Sequence, residues 1–254
     1  MQAAVTRTGL GMARKLDEAA WRTFLSRWAL LTALAVVGLY VVFMVGVGFD
    51  DTVPQEISEL VQGGRRPAAH RLAHVFNILQ WVGAGGTLLA FAVLAARPAP
   101  IRALLIAACG VGQLAGVLAG FLGLITIHGL AQRYAVASPD QQAALAQAHL
   151  VTFGVVLACH LLSYVLYGAG FGLIASVASS LAGIRRWLAA WCWLAGILGL
   201  VWFGSMAAGS PNPIPGFFIL YSFVAIAGLQ LAIAVAFWRR ASEPAPGLAA
   251  SAAA

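Results

Sequence analysis

The sequence predicts an all-α protein, a polytopic membrane bundle of six transmembrane helices with both termini in the cytoplasm. Of its 254 residues, 61% are hydrophobic and 9% are charged, whereas about a quarter of the residues of a soluble domain are charged. Several apolar runs approach or exceed the roughly 20 residues that a helix needs to cross a bilayer core of about 30 Å. These runs lack the alternation of a transmembrane β-barrel. The lipid bilayer is therefore the first predicted partner.

Hydropathy over windows of about 19 residues divides the chain into three regions. Residues 1–27 form a cytoplasmic segment with an interfacial helix, in which Trp21, Phe24 and Leu25 recur at helical spacing that Trp28 continues at the start of the first span. Residues 239–254 form an Ala- and Pro-rich cytoplasmic tail that we expect to be disordered. Between them, 28–238 is the transmembrane domain, and its spans are predicted at 28–49, 73–96, 101–127, 150–178, 187–208 and 215–238.

The distribution of positive charge orients the bundle, because Lys and Arg near span ends stay in the cytoplasm. With the N-terminus inside, the inner segments carry 11 Lys and Arg residues and the outer segments carry 4. Topology thus explains the net charge of +7, and no nucleic-acid partner is indicated. The excess of 14 Arg over one Lys, with abundant Ala and Gly, indicates a GC-rich genome. We therefore predict a multi-pass protein of the cytoplasmic membrane of a bacterium.

A polar face begins the second span in the stretch AHRLAHVFNILQW. His70, His74, Asn77 and Trp81 fall within about 60° of one another on a helix that turns about 100° per residue. In the predicted topology this face enters the membrane from outside.

The third span carries a ridge of small residues and two polar residues. Gly112, Gly116 and Gly120 form a GxxxGxxxG pattern, which lets helices approach closely in lipid. We predict a helix-packing seam, and whether it joins helices of one chain or of a homo-oligomer stays open. Gln113 lies in this span, and His128 ends it on the outer side.

The fourth helix has a strong start signal and a polar face. Ser138 suits the N-cap, Pro139 the first helical position and Asp140 the positive end of the helix dipole. We expect the helix to run to about Val177, some 39 residues or about 58 Å. Its polar side chains lie within about 120° of one another. They are His149, Thr152, His160, Ser163, Tyr164 and Tyr167.

Together these faces predict an outward-facing polar vestibule between the second, third and fourth helices. We expect a non-enzymatic protein for small-molecule binding or transport, or a membrane scaffold. All Asp and Glu residues are predicted outside the hydrocarbon core, so a carboxylate relay for protons or sodium is not expected. The spans contain neither GxSG nor HExxH, nor paired carboxylates. The vestibule residues are His74, Asn77, Gln113, His128, His149, His160 and Tyr164.

A histidine-ligated metal or haem site is the alternative that the sequence leaves open. Imidazole suits zinc, copper and iron, and a haem can take two axial histidines from facing helices. The three cysteines lie singly inside spans, where thiols usually pack as small apolar side chains. No cofactor is otherwise indicated. The candidate ligands are His74, His128, His149 and His160.

Several glycine and tryptophan patterns recur along the chain. They are Ala68-Ala69-His70-Arg71 before the second span, the run from Tyr167 to Leu173, and then Leu181-Ala182-Gly183-Ile184-Arg185-Arg186-Trp187-Leu188 and Trp193-Leu194-Ala195-Gly196. In these motifs the chain resembles a bacterial integral membrane family catalogued as domain of unknown function 4386. The resemblance implies a bundle of six or seven helices without an assigned activity. It carries no site residues over to this chain.

Overall fold

The computed structural model describes residues 2–42, 57, 67–181, 184–208 and 217–241, and all its regular elements there are helical. Six of the helices contain a stretch long and apolar enough to cross a membrane, which confirms the predicted all-α class and indicates a multi-pass membrane protein. We number them α1 (Gln2–Val42), α2 (Pro67–Ala95), α3 (Pro100–Tyr134), α4 (Pro139–Val177), α5 (Arg186–Ala207) and α6 (217–241).

The first membrane-spanning stretch begins earlier than the hydropathy windows placed it. It covers Ala20–Val42, because the apolar Trp21, Phe24 and Leu25 continue the run and offset Arg22 and Arg27. The aromatic rings of Trp21, Phe24 and Trp28 pack edge to face along α1 at centroid distances of 5.3 and 5.6 Å. The predicted end of this span at 43–49 and the tail from 242 lie outside the described residues.

The fourth helix starts and ends where the sequence predicts, and it is continuous. It runs for 39 residues from Pro139 to Val177. Ser138 and Gln141 form a capping box, in which the Ser138 backbone N–H donates to Gln141 Oε1 at 3.1 Å. Two N–H groups that the first turn would leave without partners are satisfied in this way.

The helices form a ring in which each packs on its neighbours in the chain and α6 closes against α1. Helix α2 also contacts α4, so α3 lies outside this pair and packs into the groove between them. All six helices contribute to the main hydrophobic core, and α3 does so through Ala103, Ile106 and Cys109. Its fully buried large side chains include Trp81, Phe91, Tyr167, Phe171 and Tyr221.

Glycine pairs let α4 and α5 cross at close range. A Cβ at Gly168 would lie 3.0 Å from the Gly199 Cα, and one at Gly196 would lie 3.2 Å from the Gly172 Cα. Such close backbone approach gives van der Waals contact, which helps hold helices together in lipid, where there is little hydrophobic drive.

Helices α3 and α6 are irregular at defined places. Helix α3 is interrupted at Gln113 and contains a π-helical segment at Leu122–Ile127. Helix α6 contains a second π-helical segment at Tyr221–Gly228. A π-helical turn adds a residue relative to the α-helix and shifts its hydrogen bonds, and such turns are frequent at functional sites.

Candidate functional site

The polar face of α2 lies against the glycines of α3. A Cβ at Gly116 would come within 2.5 Å of the Trp81 ring, and a Cβ at Gly123 would overlap the His74 ring. Between them, a Cβ at Gly120 would lie 2.5 Å from Ile78 and 3.4 Å from Asn77 Oδ1. The missing side chains of α3 therefore make the room that α2 fills. We call this contact the α2–α3 seam.

The three predicted packing glycines do not share one partner. Gly116 and Gly120 face α2, whereas Gly112 faces Leu166 on α4. The interruption of α3 at Gln113 lies between Gly112 and Gly116. The backbone N–H of Gln113 donates to Gly110 O at 3.2 Å, three residues back, as in a turn tighter than the α-helix. Within the described chain, the ridge thus serves two neighbours of α3.

Two predicted vestibule histidines meet at one end of the seam. The rings of His74 and His128 lie edge to face with their centroids 5.7 Å apart, and both residues are half-buried. His128 directly follows the π-helical segment of α3, and Gly123 within that segment lies beneath the His74 ring. The irregular turn and a missing Cβ together accommodate the pair.

His149 sits in a different environment on α4. Its side chain is buried, and its ring stacks on Phe153 of the same helix with centroids 6.2 Å apart. In the part of the chain that the structure describes, no three or more His, Cys, Asp or Glu side chains are grouped so that they could hold a metal ion. The four candidate ligands therefore do not form a metal cluster of that size.

Trp81 connects the seam to the centre of the bundle. Its indole contacts His160, with ring centroids 6.4 Å apart, and packs edge to face on Tyr164 at 4.7 Å. Tyr164 in turn stacks on Trp202 of α5 at 4.5 Å. Trp81 and Tyr164 are buried and His160 is half-buried. The predicted residues His160 and Tyr164 thus both contact Trp81, and Asn77 lies one turn before Trp81 on α2.

Gln113 lies on the side of α3 that faces α2, one turn from Gly116. A Cβ at Gly85 of α2 would lie 3.4 Å from the Gln113 Cβ. Its side-chain amide N–H donates to Cys109 O at 3.1 Å, the carbonyl that a regular α-helix would bond to the Gln113 backbone N–H. Because a carbonyl only accepts, this bond fixes Nε2 on Cys109 and leaves Oε1 facing elsewhere.

Sequence reasoning missed two aromatic side chains beside Tyr164. They are Trp202 and Tyr221, whose rings contact Tyr164 at centroid distances of 4.5 and 5.7 Å. Both lie in other spans, and the 100° step that unites the face of α2 says nothing about residues on other helices. Trp81 was placed on the α2 face by that step, but its role as the link to His160 and Tyr164 depends on tertiary packing.

The fold indicates a multi-pass helical membrane protein, and polar and aromatic side chains lie along the described seam. Within the described membrane spans, Asp140 at the start of α4 is the one carboxylate. No family model, curated protein or solved structure matches the chain. The side chains of the seam offer hydrogen bonds and aromatic surfaces, which suit recognition of a neutral molecule.

Proposed function

We propose that the protein binds or conducts a small uncharged molecule through a vestibule between α2, α3 and α4. It acts as a non-enzymatic protein of a bacterial cytoplasmic membrane, with both termini in the cytoplasm and the vestibule open to the outside. The row of polar and aromatic side chains that α2 places against the α3 glycines carries this proposal. His74, Asn77 and Trp81 form the row; His74 contacts His128 at one end, and Trp81 contacts His160 and Tyr164 at the other.

The chemistry of the seam favours an uncharged ligand. An ion inside a membrane protein needs compensating charge or several strong dipoles, because isolated charge is costly there. Helices α2 and α3 have no carboxylate, and their arginines Arg71, Arg102 and Arg133 lie near helix ends, while Arg97 lies in the connection between the two helices. Amide, imidazole, indole and phenol groups instead provide neutral donors and acceptors.

The resemblance to domain of unknown function 4386 belongs to the same proposal. The resemblance implies a helical membrane bundle but no activity, so the argument for function rests on the side chains of the seam.

Solute flux through liposomes containing the purified protein tests the proposal. Stopped-flow light scattering would follow the entry of urea, acetamide and glycerol. We expect faster flux than in empty liposomes for at least one solute. His160→Ala and Asn77→Ala should slow it by about five- to thirtyfold, because each removes a hydrogen bond worth about 1–2 kcal/mol. Gln147→Ala, at an exposed position of α4, is the matched control and should conduct like the wild type.

Two results would contradict this function. One is wild-type flux equal to that of empty liposomes for all three solutes. The other is a His160→Ala variant that conducts every solute as the wild type does.

A histidine-ligated metal or haem is the second candidate, and the His74–His128 contact favours it over a site elsewhere. The two rings come from facing helices and lie 5.7 Å apart, and imidazole is a common ligand of zinc, copper and haem iron. Elemental analysis and a visible spectrum of the purified protein test it. Stoichiometric metal or a Soret band that His74→Ala and His128→Ala both abolish would establish this candidate, and absence of both signals in the wild type would remove it.

A further inference from the structure

Four exposed arginines lie at one end of the bundle, where α2 leads into α3 and α4 leads into α5. Arg97 is in the connection between α2 and α3, Arg102 is in the first turn of α3, and Arg185 and Arg186 are at the start of α5. Among the side chains that the structure describes, Asp140 is the one carboxylate, and it lies at the opposite end of α4. No described acidic side chain therefore offsets this positive charge.

The Arg102 side chain is fixed at the end of α4. Its guanidinium donates to Ser176 O, in the last turn of α4, at 3.0 Å. A guanidinium has five N–H donors, so further donors remain for another acceptor. A tight turn, in which Ile184 N–H donates to Leu181 O at 3.3 Å, places the start of α5 close to the end of α4. Arg102 and the two arginines that begin α5 thus flank the same end of α4.

An exposed strip of α4 leads from this end toward the middle of the bundle. Leu162, Ala169 and Ser176 form the strip, because they fall within about 40° of one another at about 100° per residue. Leu162 and Ala169 are exposed. On one side of the strip Leu166 contacts α3, and on the other side Gly168 contacts α5. The strip therefore lies between α3 and α5 and ends where Arg102 is bound.

Apolar side chains accompany the arginines on both neighbouring helices. Ile101 and Leu105, on either side of Arg102 in α3, are 75% and 47% exposed. Trp187, which follows Arg186 in α5, is 47% exposed, and tryptophan is enriched at membrane–water interfaces. Cationic groups beside exposed apolar surface fit an amphiphile with an anionic head and apolar chains better than they fit a soluble anion.

We propose that this surface of α3, α4 and α5 binds an anionic phospholipid. The phosphate diester accepts hydrogen bonds from Arg102 and from the arginines that begin α5, and an acyl chain lies along the α4 strip. Arginine suits phosphate oxygens because its planar fork of donors matches their geometry, and basic pockets between transmembrane helices bind anionic headgroups. A zwitterionic lipid would bring its ammonium group close to several arginines and to no described carboxylate.

Native mass spectrometry of the full-length protein in mild detergent tests the site. The delipidated protein is titrated with phosphatidylglycerol and, separately, with phosphatidylcholine of the same acyl chains. Phosphatidylglycerol should bind saturably and at least about tenfold more tightly, because each arginine near an anionic headgroup contributes about a fivefold gain. Glycerol 3-phosphate, which has a phosphate but no acyl chain, should compete at least about tenfold more weakly than phosphatidylglycerol itself.

Charge-removing variants locate the site on the protein. Arg102→Gln should weaken phosphatidylglycerol binding by about fivefold or more and leave phosphatidylcholine binding unchanged. The double variant Arg185→Gln/Arg186→Gln should act in the same direction. It leaves the bond between Arg102 and Ser176 O intact, so it serves if Arg102→Gln does not fold.

Arg27→Gln is the matched control for the loss of positive charge. Arg27 is exposed near the start of the first span, at the same end of the bundle, but α1 lies across the ring from α4. Charges farther apart than about 8 Å are largely screened at physiological salt. The control should therefore change phosphatidylglycerol affinity by less than about twofold.

Several results would overturn the inference. They are equal affinity for the two lipids, a loss in Arg27→Gln as large as that in Arg102→Gln, which would assign binding to overall charge, or unchanged affinity in both the single and the double variant. Glycerol 3-phosphate that competes as well as the lipid would instead assign the arginines to a soluble phosphate. The proposed small-molecule function is independent of each of these results, because solute flux tests it separately.

Discussion

At the scale of single residues, the glycines of α3 matter because they have no side chain. Gly116 provides room for an indole and Gly123 for an imidazole, so two large side chains of α2 enter the α3 surface. The GxxxG pattern usually indicates close backbone approach of two helices. Here the backbone approach lies at Gly85 and Gly110, where a Cβ at Gly85 would be 3.0 Å from Gly110 O.

The first prediction concerns Gly116. Gly116→Ala should destabilise the protein by about 1–3 kcal/mol, because the added methyl group would overlap the buried Trp81 ring. The melting temperature of the purified protein in detergent, followed by circular dichroism, should fall by several degrees.

The matched control is Gly154→Ala on α4, where a Cβ would meet nothing within 4 Å. Alanine is favoured over glycine inside a helix by about 0.5–1 kcal/mol, so this variant should melt at or slightly above the wild-type temperature. Equal melting temperatures for the two variants would show that Trp81 does not occupy the space above Gly116.

Sequence periodicity was sufficient to place side chains on a face and insufficient to name their partners. The 100° step put His74, Asn77 and Trp81 together, and the structure turns that face toward α3. The same step cannot show that His128 comes beside His74, because their contact depends on the π-helical segment and on how α2 and α3 align. The separate burial of His149 likewise follows from packing.

At the scale of elements, side chains from other helices support the π-helical segment of α6. The Tyr167 hydroxyl donates to Ala225 O at 3.2 Å and Trp191 Nε1 donates to Val224 O at 3.0 Å. Both acceptors lie inside Tyr221–Gly228, where the changed hydrogen-bond register leaves carbonyl groups accessible to such donors. The irregular turn is thereby fixed to α4 and α5.

The second prediction follows from the Tyr167 hydroxyl. Tyr167→Phe should cost about 1–3 kcal/mol, because Ala225 O and Gln230 Nε2 both lose a partner inside the bundle. Hydrogen–deuterium exchange of residues 221–228 should accelerate in the variant.

Tyr134→Phe, at the half-exposed end of α3, is the control for loss of a phenol hydroxyl. Its exchange over residues 221–228 should match that of the wild type. If Tyr167→Phe also exchanges as the wild type does, the hydroxyl does not hold the π-helical segment.

Elements with local signals could be predicted, and elements that depend on distant partners could not. Ser138, Pro139 and Gln141 fix the start of α4 within four residues of sequence, and that helix agrees with the prediction along its length. The π-helical segments have no comparable signature, because their carbonyl groups are satisfied by residues such as Tyr167 and Trp191 that lie far away in the chain.

At the scale of the whole molecule, α3 and α4 are longer than a bilayer requires. Helix α3 covers 35 residues and α4 covers 39, or about 52 and 58 Å at about 1.5 Å per residue, whereas the hydrocarbon core is about 30 Å thick. At the end of this helix pair away from the loop at 135–138, Arg102 near the start of α3 donates to Ser176 O near the end of α4 at 3.0 Å. The excess length therefore projects on the side of the loop at 135–138.

The last prediction assigns the two sides of the membrane. The connection at 96–99 and the residues at 178–181 that follow α4 lie on one side of the bundle and the loop at 135–138 on the other, because successive spans reverse direction. Eleven of the fifteen Lys and Arg residues fall on the first side when the termini are placed there, so that side should be cytoplasmic.

Single cysteines at Val136, which is 87% exposed, and at Arg97, also exposed, test the orientation after Cys109, Cys159 and Cys192 are replaced by alanine. A membrane-impermeant maleimide should label Val136→Cys in intact spheroplasts and Arg97→Cys only after permeabilisation. The reverse pattern would place the vestibule on the cytoplasmic side, and labelling of both positions in intact spheroplasts would contradict a spanning bundle.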